Sequence, residues 1–370
     1  MALSLAAMGF PTPIPLAAGE ERRGGLLRAC YLLIPILEGV TDLRELWHRT
    51  DLTPSERRRL TSSFGEFSRR VHTGGFFQDD YAPNNFLVRR ATQPTFYMID
   101  FERAHIKRRL GRKDRRWMLA KLDRHMAGSS LGARMRFLKA YVNGNANDAR
   151  ALWRSLDLFA PRLALRDFRR MRGNCVRNGR HFMRVEHGAW SGFARRGIAI
   201  DELVEGVELP AEIEAGRTHI LGRRSGWVVA HGTISGREVK RIWAVANTLW
   251  HWGGLVPKPL AMLSRNGRFA LILQRPEGSL APGETADPDE TRSALTVLLD
   301  RLAAVAAIDP SLGGAHIAMV RDQDGRLHAF LLTPHAIRFR GNATPDHHGK
   351  AQGLSVRLQP EVNAEGEGLA

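Results

Sequence analysis

The chain of 370 residues contains only two cysteines, Cys30 and Cys175. They stand far apart and fit no metal or redox spacing, so neither a disulfide framework nor a cysteine-ligated metal is expected. Both read as reduced thiols of a cytosolic protein. Long apolar runs are also missing: none approaches the ~18 residues of a membrane span. The opening stretch is mildly apolar, but no basic segment precedes it, and Pro11, Pro13 and Pro15 interrupt it, which argues against a secretory signal. Negative charge is scarce in the middle of the chain. Residues 101–200 carry 25 Lys/Arg against 7 Asp/Glu, and this segment accounts for the whole formal net charge of +17. Such a field favours polyanions such as nucleic acid, anionic lipid headgroups or phosphorylated glycans. Charge alone names no partner, and arginine-covered soluble helices are the plain alternative.

What is present is ordinary for a soluble globular protein: 43% hydrophobic and 25% charged residues. At roughly 100–200 residues per domain, the length suggests two domains. The apolar run Ala29–Leu37 predicts a buried strand ended by Glu38-Gly39. Leu60, Phe64, Phe67 and Val71 recur at spacings of three and four, which predicts a helix over 53–73. Thr95–Asp100 reads as a strand, and residues 113–184 as a set of helices. Beyond a boundary near Gly188–Gly197, strands at Thr218–Leu221 and Gly226–Val229 precede a helix over Arg237–Trp252. The polar tail from Gly341 is expected to be disordered.

An internal repeat is visible. Pro13-Ile14-Pro15-Leu16-Ala17 matches Pro257-Lys258-Pro259-Leu260-Ala261. Each is followed by an apolar strand ending in Glu-Gly (Glu38-Gly39 and Glu277-Gly278), then a helix, a Gly-containing loop and a final strand, Phe96–Ile99 or Ala329–Leu332. The ordered series points to duplication of one fold.

The chemistry lies in the first copy. Asp80 precedes Asn85 by five residues, an apolar strand follows, and twenty residues after Asp80 a second strand ends in Asp100-Phe101-Glu102. An Asp-x4-Asn pair alone is common. Its apolar frame and the strand ending in Asp-Phe make the pattern specific for a phosphotransferase catalytic loop followed by a metal-binding Asp. In that chemistry one carboxylate orients the acceptor hydroxyl and takes its proton, while an amide oxygen and a second carboxylate hold Mg2+ against the triphosphate. Asp80 is read as the base, with Asn85 and Asp100 as metal ligands. Asp79 is the rival base, one residue too far from Asn85.

These residues resemble the lipopolysaccharide core kinases, the heptose and Kdo kinase family, over about residues 5–185. That likeness implies an α+β, protein-kinase-like fold with a truncated small lobe and a helical large lobe. Residues 9–17 look like the turn after the regulatory helix. Leu32–Gly39 looks like the hinge, and the resemblance implies that the backbone of Pro35 and Leu37 meets adenine. Arg136–Tyr141 also look like the family. Gln78 stands where kinases usually have His, and Glu102 replaces the Gly after Asp-Phe. The likeness begins partway through the regulatory helix, so the glycine-rich strands, the phosphate-binding Lys and its Glu partner have no place before Met1: either the true start lies upstream, which is the favoured expectation, or the chain is a natural fragment.

Residues 198–340 read as a second, degenerate pseudokinase-like unit, after a kinase-like unit at 1–190 and before the tail at 341–370. There Ser311, His316 and Thr333 stand where the first unit has Asp80, Asn85 and Asp100. Glu238 matches the ion-pairing Glu of the regulatory helix, but no Lys ends the preceding strand. His231, His316, His335, His347 and His348 match no standard metal spacing. Trp243, Trp250 and Trp252 read as core.

The expected function is an ATP- and Mg2+-dependent phosphotransferase acting on a sugar hydroxyl of the lipopolysaccharide core or a lipid A precursor. It would be cytoplasmic and peripheral on the anionic inner face of the cytoplasmic membrane, with no specific nucleic-acid partner. The alternatives are a non-catalytic kinase-like scaffold or regulatory protein, or a kinase for a protein or small molecule.

Overall fold

The computed structural model describes residues 1–48, 52–125, 131–205, 207, 209, 218–222, 226–252, 254–280, 287–308, 316–321, 325 and 327–339. Ser311, His347, His348 and the tail from residue 341 lie outside the described residues. The chain divides into two compact units, Met1–Asp157 and Leu158–Ala370, where the sequence reading carries the first unit to residue 190.

The first unit opens with α1 (Ala2–Ala7) and a hairpin of β1 (Ala17–Arg23) and β2 (Leu26–Leu33). The apolar run expected to be a buried strand corresponds to β2 and its continuation, and it is not buried. Leu32 and Leu33 are mostly exposed, and Ile36 is 93% exposed. The reason is topological: among the described residues the hairpin is a two-stranded sheet with no third strand beside it.

Next come β3 (Val40–Asp42), α2 (Leu43–His48) and α3 (Pro54–Thr73). α3 starts at a capping box in which Thr53 and Glu56 satisfy each other's backbone N–H, with Pro54 in the first turn. Its stripe of Leu60, Phe64, Phe67 and Val71 is buried, as the spacing predicts. Phe64 is the hub of the core: Phe86, Phe96 and Phe137 have ring centroids 5.1, 5.2 and 5.7 Å from it.

Three antiparallel strands, β3, β5 (Phe86–Arg89) and β6 (Thr95–Met98), form one sheet, and β4 (Phe76–Gln78) pairs with β7 (Ala104–Ile106). Gly75, at φ +85°, lets β4 lie so close to β7 that a Cβ would collide with the Lys107 carbonyl. The helices α4 (Arg112–His125), α5 (Leu131–Tyr141) and α6 (Ala146–Asp157) complete the unit. α3 and α5 cross at Gly65, where a side chain would strike the Phe137 carbonyl and the Ala140 methyl.

The second unit starts with α7 (Ala160–Asn174), followed by the hairpin β8 (Phe182–His187) and β9 (Trp190–Arg195), α8 (Ile200–Val204), β10 (Thr218–Gly222), β11 (Gly226–His231) and α9 (Gly236–His251). It continues through β12 (Pro259–Arg265), β13 (Arg268–Gln274), α10 (Pro288–Ala303), β14 (Ala307–Ile308), β15 (Ile317–Arg321), β16 (Leu327–Leu331) and β17 (Ile337–Arg338). Six strands form one sheet in the order β10-β11-β13-β12-β9-β8. Trp243 and Trp252 are buried, the former donating to the Cys175 carbonyl at 2.8 Å. Trp250 is only partly buried and lies under the Arg195 guanidinium, 4.1 Å from its ring centroid. From α9 onward the series helix, hairpin, helix, short strand, hairpin matches the series from α1 to β6, apart from β3 and α2.

Candidate active site

The catalytic-loop candidates sit between β4 and β5. Asp80 lies two residues past the end of β4, and Asn85 closes the 3-10 turn Pro83–Asn85. Asn85 is 2% exposed, and its side-chain amide donates to the Asp80 carbonyl at 2.6 Å. Its own backbone carbonyl accepts from Ile99 N–H at 3.0 Å, so the loop is tied to the end of β6. Asp100 comes one residue later in the left-handed region at φ +58°, which Asp tolerates better than most non-glycine residues. Asp80 and Asp100 are both solvent-exposed. The buried Asn85 amide is thus held at both ends, its Nδ2 by the Asp80 carbonyl and its Oδ1 by Asn84 Nδ2 at 3.0 Å, while the carboxylates of Asp80 and Asp100 are exposed.

Gln78 Nε2 donates to the Asp100 carbonyl at 2.6 Å, joining the start of the loop to the Asp100 segment. The Asp79 backbone N–H donates to the Arg103 carbonyl at 3.0 Å, adding a second tie. The rival base is already engaged: Trp117 Nε1 donates to Asp79 Oδ1 at 3.0 Å.

Several residues that support this loop have no signature in the sequence. Tyr81 is fully buried and donates to Ser68 Oγ at 3.0 Å, and burial pushes its phenol well above the ordinary range. His72 Nδ1 lies 2.9 Å from Tyr141 Oη, and burial holds this imidazole down at about 3, with Arg115 adding to the effect. Thr12 donates to the Met98 carbonyl and Met98 N–H to the Pro11 carbonyl, both at 3.1 Å, so the proline-rich turn is docked on the strand that leads to Asp100. Contacts between residues as far apart as 12 and 98 leave no trace in local periodicity.

Pro35 and Leu37 lie half-buried on the irregular segment between β2 and β3. For a Mg2+ ion the donor chemistry fits. The amide oxygen of Asn85 and the carboxylate of Asp100 are hard oxygen ligands, few in number, as that ion prefers when phosphates complete its shell.

The groups that the sequence expectation singles out in the second unit are placed differently. Thr333 is fully buried, and its hydroxyl makes no hydrogen bond. Glu238 pairs with Arg241, whose Nε donates to it at 2.7 Å, and this pairing holds the carboxyl below its usual range. His335 lies near two other histidines: its ring centroid is 5.4 Å from that of His231 and 6.5 Å from that of His316. Among the described residues no group of three or more His, Cys, Asp or Glu is arranged to hold a metal. No helix there is long and apolar enough to cross a membrane.

The model of the "Lipopolysaccharide kinase (Kdo/WaaP) family" matches residues 3–141. The match ends at Tyr141, short of the limit near residue 185 read from the sequence. No curated protein matches the chain. Among solved structures, one described as "WaaP in complex with acyl carrier protein" is similar at 20% identity and a TM-score of 0.36, over 42% of this chain and 71% of that one. The likeness of the first unit to the lipopolysaccharide kinase (Kdo/WaaP) family, read from its motifs, is thus shown by the family match over residues 3–141.

Proposed function

We propose that the first unit is the catalytic part of an ATP-dependent kinase that phosphorylates a sugar hydroxyl of the lipopolysaccharide core or a lipid A precursor. The observation that carries this reading is the joined loop: Asn85 bound to the Asp80 carbonyl and to Ile99, and Gln78 bound to the Asp100 carbonyl. The family match over residues 3–141 supports it. In this reading Asp80 orients the acceptor hydroxyl and receives its proton. Asn85 and Asp100 hold Mg2+, which when bound neutralises charge on the transferring phosphoryl group. The backbone of Pro35 and Leu37 meets adenine. The engagement of Asp79 by Trp117 favours Asp80 as the base. The cationic helical segment would face anionic lipid and glycan phosphates at the cytoplasmic membrane surface.

The second unit is read as a pseudokinase-like module, since Thr333 offers no carboxylate where Asp100 stands in the first. A non-catalytic scaffold is the second reading of the whole chain, favoured by the bare β1–β2 hairpin, which no further strand extends among the described residues.

Thermal unfolding with Mg-ATP separates the two. Stabilisation by Mg-ATP that Asp100→Ala abolishes is the expected result. A chain with no nucleotide response, whether or not glycine-rich strands are joined ahead of it, is the scaffold. Transfer of labelled phosphate to purified core oligosaccharide then tests the acceptor class.

A further inference from the structure

A groove of about 910 Å3 opens between α3, α5 and α6, a volume typical of small-ligand sites. None of its lining residues belongs to the Asp80–Asn85 loop or to the Asp100 segment. Four of them are cationic (Arg69, Arg136, Lys139 and Arg150), and Glu66 is the acidic one.

The cations come from three helices that meet because Gly65 lets α3 and α5 touch. Arg69 and Arg136 are half-buried and take part in no ion pair among the described residues. Arg69 Nε is shielded from solvent and makes no hydrogen bond. A guanidinium N–H withdrawn from water with no acceptor carries an uncompensated desolvation cost. An oxyanion in the groove meets four cationic side chains against the single carboxylate of Glu66. Arginine's planar fork suits the paired oxygens of phosphate better than a single carboxylate oxygen.

We propose that this groove binds a phosphate-bearing anion. The inference goes beyond the kinase reading and does not depend on it, since the groove shares no residue with the proposed catalytic machinery. Its ligand is a phosphomonoester or pyrophosphate group, carried either by a lipid headgroup or by a soluble phosphorylated molecule.

The test is calorimetric titration of the full chain with inorganic pyrophosphate, in EDTA and in an Asp100→Ala background, so that metal-dependent binding at the loop does not contribute. Saturable binding at one site is expected. Arg69→Gln with Arg136→Gln should weaken it by about tenfold or more, because two charge-assisted contacts are lost. The exposed Lys139→Gln, which cannot disturb packing, should weaken it by about threefold, as one peripheral charge is removed. Arg169→Gln with Arg170→Gln, exposed on α7, should leave it unchanged. Absence of binding overturns the proposal, and so does an equal loss in the α7 pair, which would mean diffuse screening. Flotation with phosphatidic acid/phosphatidylcholine vesicles distinguishes the sources. Vesicle binding lost with pyrophosphate binding in the groove variants assigns a headgroup, and vesicle binding unaffected by them assigns a soluble phosphate.

Discussion

The side-chain amide of Asn85 donates to the backbone carbonyl of Asp80 at 2.6 Å, so the proposed metal ligand and the proposed base are fixed to each other by one bond. Asn85→Ala should therefore do more than remove an oxygen ligand. It leaves the Asp80 carbonyl without its partner, at a cost of about 1–3 kcal/mol if the site stays closed to water. Both a lower melting temperature and loss of any Mg-ATP response are expected. Unfolding scans with and without Mg-ATP check both, and an unchanged nucleotide response would remove Asn85 from the site.

The adjacent carboxylates Asp79 and Asp80 separate structure from chemistry. Asp79 receives Trp117 Nε1–H, whereas Asp80 is open. Asp79→Asn should lower stability by about 1 kcal/mol and spare turnover. Asp80→Asn should lower turnover by about 10^2–10^4 and spare nucleotide binding. A reversed pattern in a phosphate-transfer assay would make Asp79 the base.

Gly65 marks the closest approach of α3 and α5. Gly65→Ala gains helix propensity, but the methyl group meets the Phe137 carbonyl, and overpacking of this kind costs about 1–3 kcal/mol. The net effect should be destabilising. A stabilised Gly65→Ala variant in urea unfolding would show that the two helices do not touch there.

Acid should weaken the first unit through His72. The unfolded imidazole takes up its proton near 6.5, but the folded one only at about 3. Because the folded value is depressed, the stability is fully present above 6.5 and falls as pH drops toward about 3, by up to ~1.4 kcal/mol per pH unit. His231 and His335, lowered to about 3 and about 4 chiefly by burial, act in the same direction in the second unit. Urea midpoints at pH 7 and pH 5 should differ, and His72→Gln should flatten the first unit's share. Equal midpoints at the two pH values would sink this account.

The two cysteines should differ sharply in reactivity. Cys30 is exposed on β2, whereas Cys175 is buried, which pushes its thiol up to about 12. One thiol should react with a disulfide reagent in the native chain and the second only on unfolding, because the thiolate is the reactive form. Two equally fast thiols in the native protein would contradict the burial of Cys175.

The candidate site is legible in the sequence where its information is local. The five-residue step from Asp80 to Asn85, the apolar frame and the strand ending at Asp100 are features of contiguous chain, as is the 3.6-residue stripe on α3. Ala29–Leu37 was misread for the same reason: apolarity says that a segment is suited to burial, but burial itself needs neighbours, and no third strand lies beside the β1–β2 hairpin among the described residues.

The sequence by itself determined which chemical groups stand at which spacing, and hence the likeness of the first unit to lipopolysaccharide kinases. Only the tertiary structure decided which carboxylate is engaged and which is open, because Trp117 reaches Asp79 across 38 residues. It also decided that Arg69, Arg136 and Arg150, spread over three helices, line one groove. Hydrogen bonds and repulsions act through space over a few ångströms, and the order of residues along a chain does not set those distances until the chain has packed.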